Sequence, residues 1–196
     1  MREPIKNESP RDESPQNESP RNKLSEVTLR PADPADADAI ARIYHHSVQH
    51  TMVAWTETPQ TESSRRDWMR ERLDGGFPIW LAEASGCALG FASYGHFRGQ
   101  GVWPGYSRTV EHCVYLAPDA TGAGTGSRLL RQLIDTATAA GLHVMVGAID
   151  GENESSIRFH QRLGFEVTGR MPQVGRKWGT WRDLVWVQRT LGGQAG

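Results

Sequence analysis

Three neighbouring residues of the stretch TVEHCVYL (109–116) are of types that move protons or acyl groups: Glu111, His112 and Cys113. Glu111 lies in mid-strand between apolar residues. A carboxylate partly desolvated there holds its proton above the reference pKa of about 4.3, which suits a general base near neutral pH. A salt-bridged structural glutamate is the plainer alternative. Side chains alternate along a strand, so Cys113 shares the face of Glu111 and His112 points the other way. Cys113 has no activating base adjacent in sequence, which favours a small strand-lining residue over a nucleophile. His112 is expected to shape a pocket or the sheet packing. Further on, His160 lies in a helical pattern, and an imidazole there changes charge near neutral pH. No C-x-x-C occurs, and no metal is expected.

The strand leads into ATGAGTGS (120–127), with Gly122, Gly124 and Gly126 alternating before a helix. Glycines let backbone N–H groups approach an anion without Cβ obstruction, and a helix start adds free donors and positive dipole. A flexible turn is the simplest reading. A P-loop needs lysine after its last glycine, whereas Ser127 and Arg128 follow Gly126. A dinucleotide fold needs G-x-G-x-x-G directly after a strand; here the pattern is G-x-G-x-G, set off by Pro118 and Asp119. Asp150, at the end of the next strand, is the one feature in its favour. A methyltransferase loop meets the same objections.

The elements that must position these residues follow from hydrophobic period and punctuation. A strand over 27–30 precedes a helix with acidic residues at its start and Ile40, Ile43, Tyr44 and Val48 at helical spacing. A second helix runs from Thr61, its cap, to about Leu73, ended by Gly75-Gly76. Strands at 78–84 and 88–95 form a hairpin, and 109–116 is a third. A helix follows with Leu129, Leu130, Leu133, Ile134 and Ala137 on one face, then strand 143–149, helix 154–162 and strands 164–169 and 181–191. This order is neither a regular βαβ array nor a sandwich, so the class is α+β with a mixed sheet.

Of 196 residues, 22 are Lys or Arg and 23 Asp or Glu, a net charge of −1 that argues against nucleic-acid binding. Two cysteines make no disulfide framework, and no apolar run is long enough to span a membrane or to serve as a secretory signal. A cytoplasmic protein is expected. Residues 7–10, 12–15 and 17–20 read NESP, DESP and NESP. With so few apolar residues, 1–25 is expected to be a disordered tail, either a solvated extension or a partner-binding one, ahead of a domain at 26–192 and a short tail at 193–196.

The glycine loop resembles the acyl-CoA loop of the GNAT superfamily of N-acetyltransferases, Q/R-x-x-G-x-G/A, although Thr121 replaces the leading Gln or Arg. NESSIRFHQRLGF (153–165) resembles the family's later motif. TVEHCVYL, GLHVMVGAI, MPQVGRKWGTWRD (171–183), AWTETPQT (54–61) and ASYGHFR (92–98) resemble its phosphinothricin and methionine sulfoximine N-acetyltransferase branch. The resemblance implies the GNAT fold: a mostly antiparallel mixed sheet of about six to seven strands, flanked by about four helices and splayed at the fourth strand. It implies acetyl-CoA as co-substrate. Val114, Tyr115 and Leu116 would pair with the pantetheine arm, and Gly122, Ala123, Gly124, Thr125, Gly126 and Ser127 would take the pyrophosphate. Asn153 would cap its helix and reach the cofactor. Glu111 becomes the base, and His160, where the superfamily commonly has tyrosine, the acid for the departing thiolate.

The acceptor implied is the α-amine of phosphinothricin, methionine sulfoximine or methionine sulfone, as a detoxification by a homodimer. Arg98, Gly99 and Gln100 would lie beside that amino acid, with Glu111, His112, Cys113 and Trp55 around it. Arg98 would clamp its carboxylate, Trp103 and Tyr106 would wall the pocket, and Glu57 would help close it. The plainer alternative for 94–108 is a surface loop. Two other functions stay open. A peptide or protein N-acetyltransferase would want an open groove. A non-catalytic acyl-CoA-binding module would bind without turnover.

Overall fold

The computed structural model describes residues 27–58, 60–99 and 103–192; the expected tails and Gln100 lie outside them. The chain runs β1 (Thr28–Pro31), α1 (Ala37–His50), α2 (Glu62–Asp74), β2 (Ile79–Ala84), β3 (Cys87–His96) and β4 (Thr109–Leu116). It continues through α3 (Thr125–Ala139), β5 (Val144–Asp150) and α4 (Glu154–Arg162) to β6 (Glu166–Lys177) and β7 (Thr180–Thr190). The acidic cluster before α1 does not extend that helix. Asp33 accepts the Ala35 N–H and Asp36 accepts the Asp33 N–H, closing a separate 3-10 turn over Pro34–Asp36. Thr61 caps α2 by accepting the Ser64 N–H.

The seven strands form one sheet in the order β1-β2-β3-β4-β5-β7-β6. Every neighbouring pair is antiparallel except β4 and β5. Alternation divides the core between two faces. Ile79, Leu81 and Phe91 pack with Ile40 and Ile43 of α1 and Met69 of α2. Ala82, Ala92, Val110 and Met145 pack with Leu129, Leu130 and Leu133 of α3. Each such leucine, buried completely, contributes about 1.5–3 kcal/mol.

β4 pairs with β3 along its whole length, from Val110 to Leu116. On its other side it meets β5 only at Thr109, Val110 and Glu111. Beyond Glu111 the two strands part, as the expected splay at the fourth strand requires. The His112 ring enters the gap, where its Nδ1 donates to the Val146 carbonyl at 2.7 Å. Gly147 of β5 makes this possible, because a Cβ there would lie 2.5 Å from the imidazole Cε1.

β6 is longer than the strand expected at 164–169. It reaches Lys177 and returns to β7 through Trp178 and Gly179, whose φ values of 48° and 76° suit a tight hairpin turn. Nearly all of its residues are exposed, and a register shift between Met171 and Gly175 interrupts it. An edge strand bare on both faces and broken by a bulge carries no period of two for the sequence to display.

Candidate active site

The parting of β4 and β5 opens a cleft of about 730 Å³. Glu111 to Leu116 line one wall, Gly147 to Asp150 the other, with Asn153, Ser156, Phe159 and His160 of the α4 segment beside them. Tyr44 of α1, packed on Tyr115, and Thr51, Val53, Ala54, Trp55 and Thr56 of the following loop complete the lining. The structure therefore brings together Glu111, His112, Cys113, Val114, Tyr115, Leu116, Gly122, Gly126, Asn153, His160 and Trp55. From His112 to Leu116 the β5 side of the strand is free of its ladder, leaving backbone donors and acceptors for an extended, peptide-like guest.

At the mouth, Gly122 and Gly124 have φ of 77° and 84°, and a Cβ at either would meet nothing. Gly124 is the N-cap of α3, and no side chain caps the helix. The amides of Thr125, Gly126 and Ser127 thus have no carbonyl one turn behind them. The Thr125 hydroxyl is buried without a partner. An uncapped helix start, an orphaned hydroxyl and two obligate glycines fit an anionic group such as a pyrophosphate. Thr121 does not replace the family's longer side chain; its hydroxyl donates to the Pro118 carbonyl at 2.8 Å. Asn153 accepts the Ser156 N–H at 3.1 Å and so caps α4 while facing the cleft.

Burial raises the Glu111 carboxyl above the ordinary carboxylate range, opposed by the positive charge of Arg72. Burial likewise raises the Cys113 thiol, against Arg72 and Arg65, which leaves little nucleophilic thiolate. His112, expected to shape the substrate pocket or the sheet packing, lines the cleft, and its Nε2 lies 3.0 Å from that of His160. Burial first, and the neighbouring His160 second, push His112 down to about 3. Burial also lowers His160, against the Ser156 carbonyl. His160 is therefore not a solvent-like imidazolium but half of a buried pair.

Some expected residues lie elsewhere. Arg98 is exposed beyond the end of β3, its guanidinium 3.4 Å from the Tyr106 hydroxyl and over that ring. Gly99 is exposed beside it, Trp103 and Tyr106 are exposed, and none of the four lines the cleft. Ala123, Gly124, Thr125 and Ser127 form the loop and helix start at its mouth. Glu57 accepts the Trp178 N–H at 2.7 Å, tying its loop to the β6–β7 turn.

Several residues without a sequence signature support the site. Lys177 is completely buried and donates to the carbonyls of Val48, Thr51 and Ala54 at 2.7, 2.6 and 2.7 Å. Arg182 grips both oxygens of Asp150 at 2.8 and 2.6 Å, and Trp55 donates to Asp150 at 3.3 Å. The indole lies on Gly175, where a Cβ would fall 2.1 Å from the ring. These contacts hold the Trp55 loop over the cleft from β5, β6 and β7. Arg65, Trp68 and Arg72 share a stripe of α2, and Arg65 stacks on Tyr44 at 3.8 Å. The histidines are not all scattered: His46 and His50, one turn apart on α1, form an H-x-x-x-H, contrary to the expectation that no such spacing occurs; among the described residues no group of three candidate ligands forms.

The acetyltransferase (GNAT) family matches residues 40–165. The L-methionine sulfoximine/L-methionine sulfone acetyltransferase of Pseudomonas paraeruginosa is 46% identical over 165 residues, which cover 84% of this chain and 94% of that one. The phosphinothricin N-acetyltransferase of Streptomyces coelicolor is 35% identical over 171 residues, 85% of this chain and 98% of that one. Among solved structures, the Salmonella typhimurium protein yncA with its cofactor acetyl-CoA superposes with a TM-score of 0.82 at 43% identity, covering 87% of this chain and 97% of that chain. A parted β4 and β5, a glycine cradle at the start of α3 and a family match across the site have one reading: the chain belongs to the GNAT family of acetyltransferases.

Proposed function

We propose that the protein transfers the acetyl group of acetyl-CoA to the α-amine of a small methionine- or glutamate-like amino acid, with methionine sulfoximine, methionine sulfone and phosphinothricin as the acceptor class. The observation that carries the reading is Glu111: a half-buried carboxyl with its proton affinity raised, at the point where β4 and β5 part. The acceptors named for the similar enzymes of Pseudomonas and Streptomyces supply the class.

Acetyl-CoA brings an acyl group activated as a thioester; the residues do the rest. The free edge from Val114 to Leu116 pairs with the amide-bearing arm, and the amides opening α3 hold the pyrophosphate. Glu111 takes a proton from the amine nitrogen, directly or through a water, so that its lone pair is free to attack. His160 gives a proton to the departing sulfur. Trp55 and Tyr44, which line the cleft, are the walls proposed for the acceptor. Arg98 of the β3–β4 connection, exposed and outside the cleft, is kept as the candidate partner of the acceptor carboxylate.

The enzyme is proposed to be cytoplasmic, in keeping with free thiols at Cys87 and Cys113, and no helix among the described residues is long and apolar enough to cross a membrane. A homodimer is proposed as well, supported by the exposed Met171, Val174, Trp178 and Trp181 of the β6–β7 hairpin.

The test is thiol release from acetyl-CoA against a panel of amino-acid analogues, simple amines and peptides. The three named analogues should turn over with the highest kcat/KM. Preference for peptides would replace the acceptor class, and cofactor binding without release on any acceptor would leave a binding module.

A further inference from the structure

We propose that His112 and His160 hold one proton between their two Nε2 atoms and titrate as a single acid, with His112 as the positioning residue that keeps His160 charged. The inference rests on His160 as the acid of the reaction above and adds what sets its protonation.

The argument is a count of protons. His112 Nδ1 lies 2.7 Å from the Val146 carbonyl, and His160 Nδ1 lies 2.7 Å from the Ser156 carbonyl. A carbonyl oxygen only accepts, so both Nδ1 atoms must donate. A neutral imidazole has one N–H, and each ring spends it there. The two Nε2 atoms, 3.0 Å apart, would then face each other as lone pairs with no donor between them. One further proton turns that contact into an N–H···N hydrogen bond and satisfies all four nitrogens. Two other arrangements leave both rings neutral: His112 Nδ1 stripped of its proton, which presses a bare nitrogen on the Val146 carbonyl at 2.7 Å, or His160 Nδ1 stripped of its own. The Ser156 hydroxyl, 3.4 Å away, would then be its only donor, and a bare nitrogen would press on a carbonyl oxygen at 2.7 Å.

Burial by itself favours neutral rings, since both histidines are nearly inaccessible. Burial acts on the first proton as well, but there two carbonyls and the Nε2 contact oppose it, and nothing opposes it for the second. The rings are packed by Phe159, Phe165, Gly147 and each other. On β4, Glu111 and Cys113 point to the opposite face. On β5, Asp150 is turned to Arg182, and on α4, Glu154 and Arg158 pair with each other in solvent. The only charge that bears on His112 is that of His160. A first proton is thus shared by two rings and met by two carbonyls, while a second would place two cations 3.0 Å apart.

In the reaction, the Nε2···Nε2 contact is given up: the Nε2–H bond of His160, which lines the cleft, breaks with its electrons left on nitrogen, and the proton joins a lone pair of the thiolate sulfur. The pair is left neutral with its lone pairs opposed, which draws back a proton. The ammonium nitrogen loses two protons in becoming the amide; Glu111 passes them in turn to solvent, one restores the pair that protonated the thiolate, and the other is the one proton released per acetyl transferred.

The test uses the full chain labelled with 15N-histidine. At neutral pH the wild-type spectrum should show both Nδ1 atoms protonated and one proton shared by the two Nε2 atoms, with one titration step for the pair. A bare Nδ1 on either ring, or two neutral rings, overturns the proposal. In His112→Phe the titration of His160 should move to lower pH by about one unit or more, and the alkaline limb of kcat should move with it. His112→Gln, whose amide oxygen can accept from His160, should restore part of the shift. A merely structural His112 would leave the pH profile in place. A shared proton in the spectrum with unchanged turnover in His160→Phe keeps the pair and removes His160 as the acid.

Discussion

A carboxylate among apolar neighbours in mid-strand was legible in the sequence as Glu111, because the only local reason to place it there is chemistry or a partner. The structure gives it a distant counter-charge, Arg72, and enough burial to raise its proton affinity. Glu111→Gln keeps the shape but cannot take the proton of an ammonium group, so kcat should fall by roughly 10²–10⁴-fold while acetyl-CoA affinity is unchanged. The sign with pH follows. The base works only when ionised, and burial moves that ionisation upward, so wild-type kcat should fall as pH drops through a value above the ordinary carboxylate range. In the variant that limb disappears, and turnover recovers in part at high pH, where solvent deprotonates the amine. Stopped assays across pH read both effects, and a folded variant with wild-type kcat throughout removes Glu111 as base. Arg98 is the weaker reading, since it is exposed and beside Tyr106. If it meets the acceptor carboxylate, Arg98→Ala raises KM for the amino acid and not for acetyl-CoA; equal KM values leave it a surface residue. Arg65 and Arg72 were not legible, because a helix reading ESSRRDWMRERLD looks solvated all round. Nor was the contact between His112 and His160, which are 48 positions apart and obey no spacing rule.

At the scale of elements, the helices and the central strands could be read from period and punctuation, because each buries one face and ends at a cap or a turn. The β6–β7 hairpin could be read only in part. Its inner half is exposed, and its work is done by Lys177, Gly175 and Trp178 on a loop more than a hundred residues earlier. Lys177 is the decisive member. Its ammonium group is buried, yet it meets no carboxylate and is solvated by three carbonyls at the end of α1 and in the loop that follows. Lys177→Met keeps the volume and leaves those three acceptors without a donor, each costing about 1–3 kcal/mol if it stays buried. The loop should instead move to reach water, taking Trp55 from the cleft. The expected outcome is a KM for the acceptor raised by at least about tenfold, a lower Tm and an acetyl-CoA KM near wild type, since the glycine cradle lies on α3. A parallel rise in both KM values would show that the loop does not belong to the acceptor end.

Taken whole, the sheet is two halves, β1–β4 and β5–β7, joined at only three residue pairs: Thr109–Val144, Val110–Met145 and Glu111–Val146. Packing of α3 and the His112 ring supports the join, but the cleft continues it as a gap. A ligand lying in that gap, paired to the free edge of β4 and held by the start of α3, contacts the second half through Asn153 and the α4 segment. Binding to the folded state alone then stabilises the whole domain, by about 2.7 kcal/mol at a hundred times Kd. For a domain of this size that is a rise in Tm of roughly 5–10 °C. Acetyl-CoA should give it. NAD and ATP offer phosphates to the α3 cradle but no amide-bearing arm for β4, and they should give far less. The NESP repeats add no apolar residues to this arrangement. A chain beginning at Lys23 should therefore show the same rise in Tm with acetyl-CoA and the same rate of acetyl transfer. Scanning fluorimetry of both chains with the three ligands, alongside the thiol-release assay, measures this. Equal stabilisation by NAD would mean that the cradle alone binds and the strand edge contributes nothing. A rise lost on truncation would assign residues 1–22 a part in holding the ligand that their composition does not suggest.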